Sequence, residues 1–199
     1  MSEITAFIAQ LADAGQSARH AAAVELYRRG ADQAQAALRG WAADADLRRL
    51  VSGPPTVGIA VQPARFKEIR AAWDAPPLAD VPAEEDAREF ELQVEFDGAL
   101  ALLDILSARD AADPACQGER GAIARFLQKH GEGIQQVEFP CKDVAQASEI
   151  LRSRFHLEPV YPEPRPGASG TRVNFFLVPA PGGGKVLVEL FERAPRSSD

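Results

Sequence analysis

Histidine is scarce in this sequence. Only His20, His130 and His156 occur among 199 residues, so a metal centre built from imidazoles has few ligands to draw on. Cysteine is scarcer still: Cys116 and Cys141 stand far apart, with no C-x-x-C pair. A disulfide framework is therefore not indicated, and a reducing cytoplasm fits. No apolar run is long enough to span a bilayer, and no charged-then-apolar leader opens the chain, so no membrane partner is expected. Basic residues are outnumbered, 22 Lys and Arg against 29 Asp and Glu, for a formal charge of −7. A general nucleic-acid binder would show the opposite balance. What is present is ordinary for a soluble globular protein: 46% hydrophobic and 26% charged residues, enough for one good core or two small ones.

The most informative stretch is Thr171–Glu192, TRVNFFLVPAPGGGKVLVELFE. It reads as two strands around a Pro/Gly turn. Side chains alternate along a strand, so Lys185, Leu187, Glu189 and Phe191 share one face, and Val186, Val188 and Leu190 share the other. The apolar face suits a helix. Glu189 then points the opposite way, and a carboxylate there needs a cation, a donor network or a proton.

The first 50 residues have helical periodicity. Ile4, Phe7, Ile8 and Leu11 recur at helical spacing, as do Ala34, Ala37, Leu38 and Trp41. Gly15 and Gly30 mark expected helix stops, and Ser17 an expected N-cap. Three or four short helices follow from this, forming an extension over residues 1–52 that caps the main domain or serves as a partner-binding surface. Ser52–Pro55 breaks the pattern. Beyond it, Thr56–Val61 reads as a strand and Pro63 starts a helix with Phe66, Ile69 and Trp73 on one face. Residues 75–83 are Pro-rich and irregular. In Arg88–Phe96, Phe90, Leu92, Val94 and Phe96 alternate with Glu89, Glu91, Gln93 and Glu95. Asp97-Gly98 is a hairpin turn, and Ala99–Leu106 returns as an apolar strand interrupted by Asp104. Arg109–Glu119 is a polar connector, and Gly121–His130 an amphipathic helix. Then the pattern repeats: strand Ile134–Phe139, a helix capped by Asp143, a short strand Glu158–Tyr161, and the final hairpin.

Two copies of one module are therefore expected, at Pro55–Leu106 and Gly133–Glu192. Their last strands superpose, with Asp104 at the place of Glu189 and the turn glycines Gly98 and Gly183 at equal distances before them. A long internal repeat of this kind points to duplicated architecture. Matched acids in matched strands read as facing walls of one cavity.

Two βαβββ modules closing a cupped mixed sheet resemble the vicinal oxygen chelate superfamily, and most of all its methylmalonyl-CoA epimerases. The resemblance is dense over Gly121–Glu192, in AIARFLQKHGEG, EPRPGASGTRVNFFLVP and GGKVLVELFE, and looser over the first module, mainly in VGIAV. It implies an α+β fold with a helical N-terminal extension: a domain over residues 53–199, with modules 55–110 and 132–192 joined by helix 120–131. It also implies a divalent metal held by four side chains, one from the first and one from the last strand of each module. Those positions are Thr56, Asp104, Gln136 and Glu189 here. The family's histidines are missing: Thr56 and Gln136 stand where it has His, and Gln135-Gln136 replaces a His-His pair. An all-oxygen set suits Mg²⁺ or Mn²⁺ better than Zn²⁺. The alternative is a metal-free cluster in which Gln136 donates to Glu189 and Thr56 to Asp104.

The epimerase resemblance implies proton removal alpha to a thioester carbonyl by two carboxylates working on opposite faces. Glu189 matches one of them. Glu85, in the loop before the long strand, is the candidate for the other. Without a metal, the developing oxyanion needs donors such as the Gln136 amide. Three classes stay open: an isomerase or epimerase of an acyl-CoA-like carbonyl compound, a non-catalytic small-molecule-binding protein on the same scaffold, and an interaction protein working through its helices. A homodimer is expected from the resemblance.

Overall fold

The computed structural model describes residues 3–109, 121–180 and 183–193. Its residues group into two compact units. One comprises Met1–Gly30 with Thr56–Gln135, the other Ala31–Pro55 with Gln136–Asp199. Each unit holds one α+β module together with part of the N-terminal helical segment. Cys116 and most of the Arg109–Glu119 connector lie outside the described residues.

The helices at the N-terminus are α1 (Glu3–Gln10), α2 (Gln16–Leu38) and α3 (Ala45–Leu50). Two expectations are corrected here. Ser17 is the second residue inside α2 rather than its cap, and Gly30 does not stop a helix. A Cβ on Gly30 would stand 2.3 Å from Val57 Cγ1. Glycine is there because backbone and strand come too close for any side chain, a demand that a reading of helix-breaking propensity cannot detect. In α3, by contrast, the local signal is sufficient. Asp44 caps it, accepting from the backbone N–H groups of Asp46 and Leu47 at 2.9 and 3.0 Å.

In the first unit, β1 (Thr56–Ala60) leads into α4 (Pro63–Ala72), β2 (Ala87–Phe96) and β3 (Ala99–Ala108), followed by α5 (Ala122–His130). β3 lies between the other two strands, parallel to β1 and antiparallel to β2. Asp97 and Gly98 both have positive φ, 51° and 74°, the backbone that a two-residue hairpin turn requires. Phe90, Leu92 and Val94 are buried, as their alternation predicts. Residues 74–82 carry no strand, and Pro76, Pro77 and Pro82 have no N–H to give a ladder. A backbone bond ties this segment to the sheet, Ala79 N–H to the Glu89 carbonyl at 3.0 Å. α1 and the first part of α2 belong to this unit too: Trp73 Nε1 donates to the Leu11 carbonyl at 2.9 Å.

In the second unit, β4 (Gly133–Pro140) is followed by α6 (Val144–Phe155), β5 (Arg165–Pro166), β6 (Arg172–Pro179) and β7 (Lys185–Glu192). The order is β4-β7-β6-β5, with β4 and β7 parallel. The expected strand at Glu158–Tyr161 is absent. One isolated bridge, Pro159 to Phe176, stands in its place, and the strand in that layer is the two-residue β5. Prolines at 159, 162, 164 and 166 interrupt the supply of N–H donors. The cap on α6 forms as expected, with Asp143 accepting from Gln146 N–H at 2.9 Å.

One face of this second sheet is the core. Val137, Phe139, Phe176, Val178, Val188 and Leu190 pack with Val144, Ala147, Ile150 and Leu151 of α6 and with Ala34, Ala37, Trp41 and Leu47. Burial of these side chains stabilises the unit at about 1.5–3 kcal/mol per large residue. The last turns of α2 and all of α3 thus supply core to this module. The opposite face is where the polar residues lie.

Candidate functional site

Alternation and register place the site residues. On β4, Gln136 and Glu138 share the face turned away from α6. Strand pairing sets Glu138 directly opposite Glu189 of β7, with Val137 opposite Val188 on the core side. Phe175 of β6 flanks Glu189 on its other side. Gln136 and Glu138 are buried, each 8% exposed, and Glu189 is half-buried.

A single amide nitrogen joins the two acids. Gln136 Nε2 donates to Glu138 Oε1 at 3.0 Å and to Glu189 Oε2 at 2.7 Å. Two like charges set opposite one another across adjacent strands would repel. The two N–H bonds of one amide compensate part of that cost, and bonds to ionised acceptors are the stronger kind. The expected bond from Gln136 to Glu189 is therefore present. Glu138 was not anticipated. Its signal is in the sequence, two residues after Gln136 and so on the same face, but which strand lies beside β4 is not.

The first module has the same register. Thr56 is opposite Leu102 and Gly58 opposite Asp104. The one-residue step from Val137 and Val188 puts Gln136 at the level of Leu187, and Glu138 is opposite Glu189. Thr56 and Gln136 thus hold equivalent places, as do Asp104 and Glu189. Thr56 and Asp104 are buried, 5% and 6% exposed. On the first strand, where the second module carries Glu138, the first carries Gly58. Thr56 and Asp104 belong to one unit, Gln136 and Glu189 to the other.

Glu85 ends a short 3-10 turn, Ala83–Glu85, and is half-buried. Asp86 follows it in the left-handed conformation and is almost fully buried. Its carbonyl accepts from Arg109 N–H at 3.2 Å. Glu85 lies in the unit that holds Asp104.

Beside Glu189 an aromatic row leads to a cation. Phe175 meets the Tyr161 ring at 6.1 Å, edge to face, and the Arg165 guanidinium lies 3.6 Å over the Tyr161 ring. Asn174, fully buried, fixes the Tyr161 backbone at both its N–H and its carbonyl. The histidines stand apart from all of this. His20 contacts Trp73, His130 contacts Phe126, and His156 is the C-cap of α6. Cys141 is buried, and burial pushes its thiol up to about 11, which rules out a ready nucleophile.

The metal implied by the resemblance can be tested against these donors. Among the described residues no group of three or more His, Cys, Asp or Glu is placed to hold an ion. In the second module the two carboxylates turn toward the same N–H₂ group, which stands between them as a cation would. As arranged, these donors do not fit a divalent ion: Gln136 turns its N–H₂ rather than its oxygen to that point, and two carboxylates alone are a weak set of ligands.

Repeated modules, their register and the paired acids define the architecture: the chain belongs to the vicinal oxygen chelate superfamily. Within it, the chain is similar to methylmalonyl-CoA epimerases. The Mycobacterium tuberculosis enzyme is 32% identical over 74% of this chain and 91% of its own, with a TM-score of 0.55. A variant of the Streptomyces coelicolor enzyme bound to 2-nitronate-propionyl-CoA is 28% identical, covering 70% and 96%, with a TM-score of 0.53. A methylmalonyl-CoA epimerase in complex with methylmalonyl-CoA and NH4+ is 28% identical, covering 70% and 92%, with a TM-score of 0.52. No family model matches the sequence, and no curated protein matches it. No helix among the described residues is long and apolar enough to cross a membrane.

Proposed function

We propose that this protein is an epimerase-like isomerase that moves the proton on the carbon alpha to the thioester carbonyl of an acyl-CoA. The observation that carries the reading is the carboxylate of Glu189 held at 2.7 Å by Gln136 in the middle of β7. A base fixed in one orientation loses little entropy when it meets its proton. Similarity to epimerases solved with acyl-CoA ligands supports the substrate class.

Glu189 takes the alpha proton. The C–H electron pair moves into the thioester carbonyl as an enolate. An acid on the opposite face then delivers a proton, inverting the carbon, and exchange with water resets both acids. No step passes through a metal. A half-buried carboxylate has the exposure to meet a substrate and so suits the role of base. The working form expected is a cytoplasmic homodimer, to be checked by light scattering.

One observation favours a second reading. Both N–H bonds of Gln136 already go to carboxylates, so the amide is not available as the oxyanion donor that a metal-free enolate needs. A non-catalytic protein that binds an acyl-CoA-like ligand would have no such requirement.

Hydrogen exchange separates the two. Incubation with methylmalonyl-CoA in D2O, followed by mass spectrometry, should show deuterium entering at the alpha carbon. Glu189→Gln should slow that entry by about a hundredfold or more, the usual scale for a positioned base. Tight binding of the thioester by calorimetry with no deuterium uptake would establish the binding protein instead.

A further inference from the structure

We propose that Glu138 is the positioning residue of this site: it takes one N–H of the Gln136 amide and so aims the other at Glu189. The inference rests on the proposed role of Glu189, and it concerns a residue that the superfamily resemblance does not mark.

An amide side chain has an oxygen that accepts and a nitrogen that donates twice, and rotation about its last bond exchanges them. One carboxylate beside Gln136 would favour the nitrogen but leave the second proton unassigned. Two carboxylates on either side of that nitrogen use both protons. The amide is then pinned, with the 3.0 Å bond to Glu138 Oε1 and the 2.7 Å bond to Glu189 Oε2 as its two anchors. Glu138 is suited to anchor because it is only 8% exposed, and water competes poorly for it. The more exposed Glu189 is the one left within reach of a ligand.

Strand geometry produces this arrangement in one module only. Glu138 is opposite Glu189, whereas the equivalent residue opposite Asp104 is Gly58. The first module therefore has no carboxylate on β1 at that level; the acid paired with Asp104 is Glu91, on β2 and exposed, where the second module has Phe175. Where the superfamily resemblance implies a metal, this chain sets a neutral amide whose orientation is fixed by an acid two residues along the same strand.

The test reads the Gln136 side-chain amide directly by nitrogen-edited NMR on the full-length protein. In the wild type both Nε2 protons should exchange slowly with solvent. In Glu138→Ala at least one should exchange about tenfold faster or more, the scale of losing one bond to a charged acceptor, while the backbone amides of β4 and β7 keep their rates. Glu138→Gln retains an acceptor oxygen and should restore protection, which a general packing role would not require. Both protons exchanging rapidly in the wild type would overturn the proposal. So would a Glu138→Ala protein with wild-type exchange. If Glu138→Ala does not fold, the decision falls to Glu138→Gln, where protection supports the anchor and rapid exchange refutes it. In an active protein, Glu138→Ala should lower kcat with little change in KM. A wild type with protected protons and no turnover would leave the anchor standing and remove the epimerase reading instead.

Discussion

Glu138 and Glu189 face each other directly across the parallel β4–β7 pair, and one nitrogen of Gln136 donates to both. This module therefore keeps two acids at close quarters on the face away from its core, with the amide between them. The consequences for stability follow from how those lone pairs are satisfied.

Gln136→Leu keeps the size of the side chain and removes both N–H donors. A buried Glu138 and a half-buried Glu189 would then lose their shared partner. The cost should be about 2–3 kcal/mol, the range for buried polar groups deprived of a bond. Urea denaturation of wild type and variant measures it. A difference below about 0.5 kcal/mol, the ordinary scatter of surface substitutions, would mean that the amide contributes little.

Gly30→Ala sets two effects against each other. Helix propensity favours alanine by about 1 kcal/mol. The new methyl would stand 2.3 Å from Val57 Cγ1, and overpacking of this kind costs about 1–3 kcal/mol. The clash should win, giving a net loss in thermal or urea denaturation. Adding Val57→Ala should restore part of it, and the coupling should appear in a double-mutant cycle. Additive effects would show that the strand moves aside.

Residues 1–52 should be needed for folding. Trp41 is 2% exposed and packs with Val137, Phe139 and their neighbours, so Trp41→Ala should cost about 3–5 kcal/mol. A chain starting at Gly53 lacks this side of the core altogether. It should bind a hydrophobic dye and lose near-ultraviolet circular dichroism. A truncated chain that stays folded would show that the helices are dispensable, and a binding role for them would then become the better explanation.

Alkaline pH should destabilise the fold through Cys141. Burial raises its thiol to about 11, against an ordinary value of 9.0. Between those values the native state binds the proton that the unfolded state releases. Stability is therefore complete below about pH 9 and falls as pH rises toward 11. Denaturation midpoints in a Cys116→Ser background should decline over that window, and Cys141→Ser should flatten the decline. In the same background at pH 8, the thiolate fraction is about one in a thousand. Reaction with a disulfide reagent should then proceed only as fast as the protein opens.

Local and periodic features were legible in the residues alone. Alternation put Glu189 on the face opposite Val188 and Leu190. The Asp97-Gly98 turn, the Asp143 cap and the helix start at Pro63 each depend on residues within a few positions of one another, and the structure has them. The equivalence of Asp104 with Glu189 also came from pattern, and strand register agrees with it. Tertiary structure alone decided the rest. Alternation says which face Glu138 occupies, but not that β7 lies beside β4 in a register that sets Glu189 opposite it. Gly30 reads as a helix stop until Val57 is brought against it. The Glu158–Tyr161 strand fails because a strand needs donors facing a partner, and the prolines around it leave too few. Each of these outcomes turns on which segments meet across long stretches of chain, and that is settled by burial and register acting on the whole module.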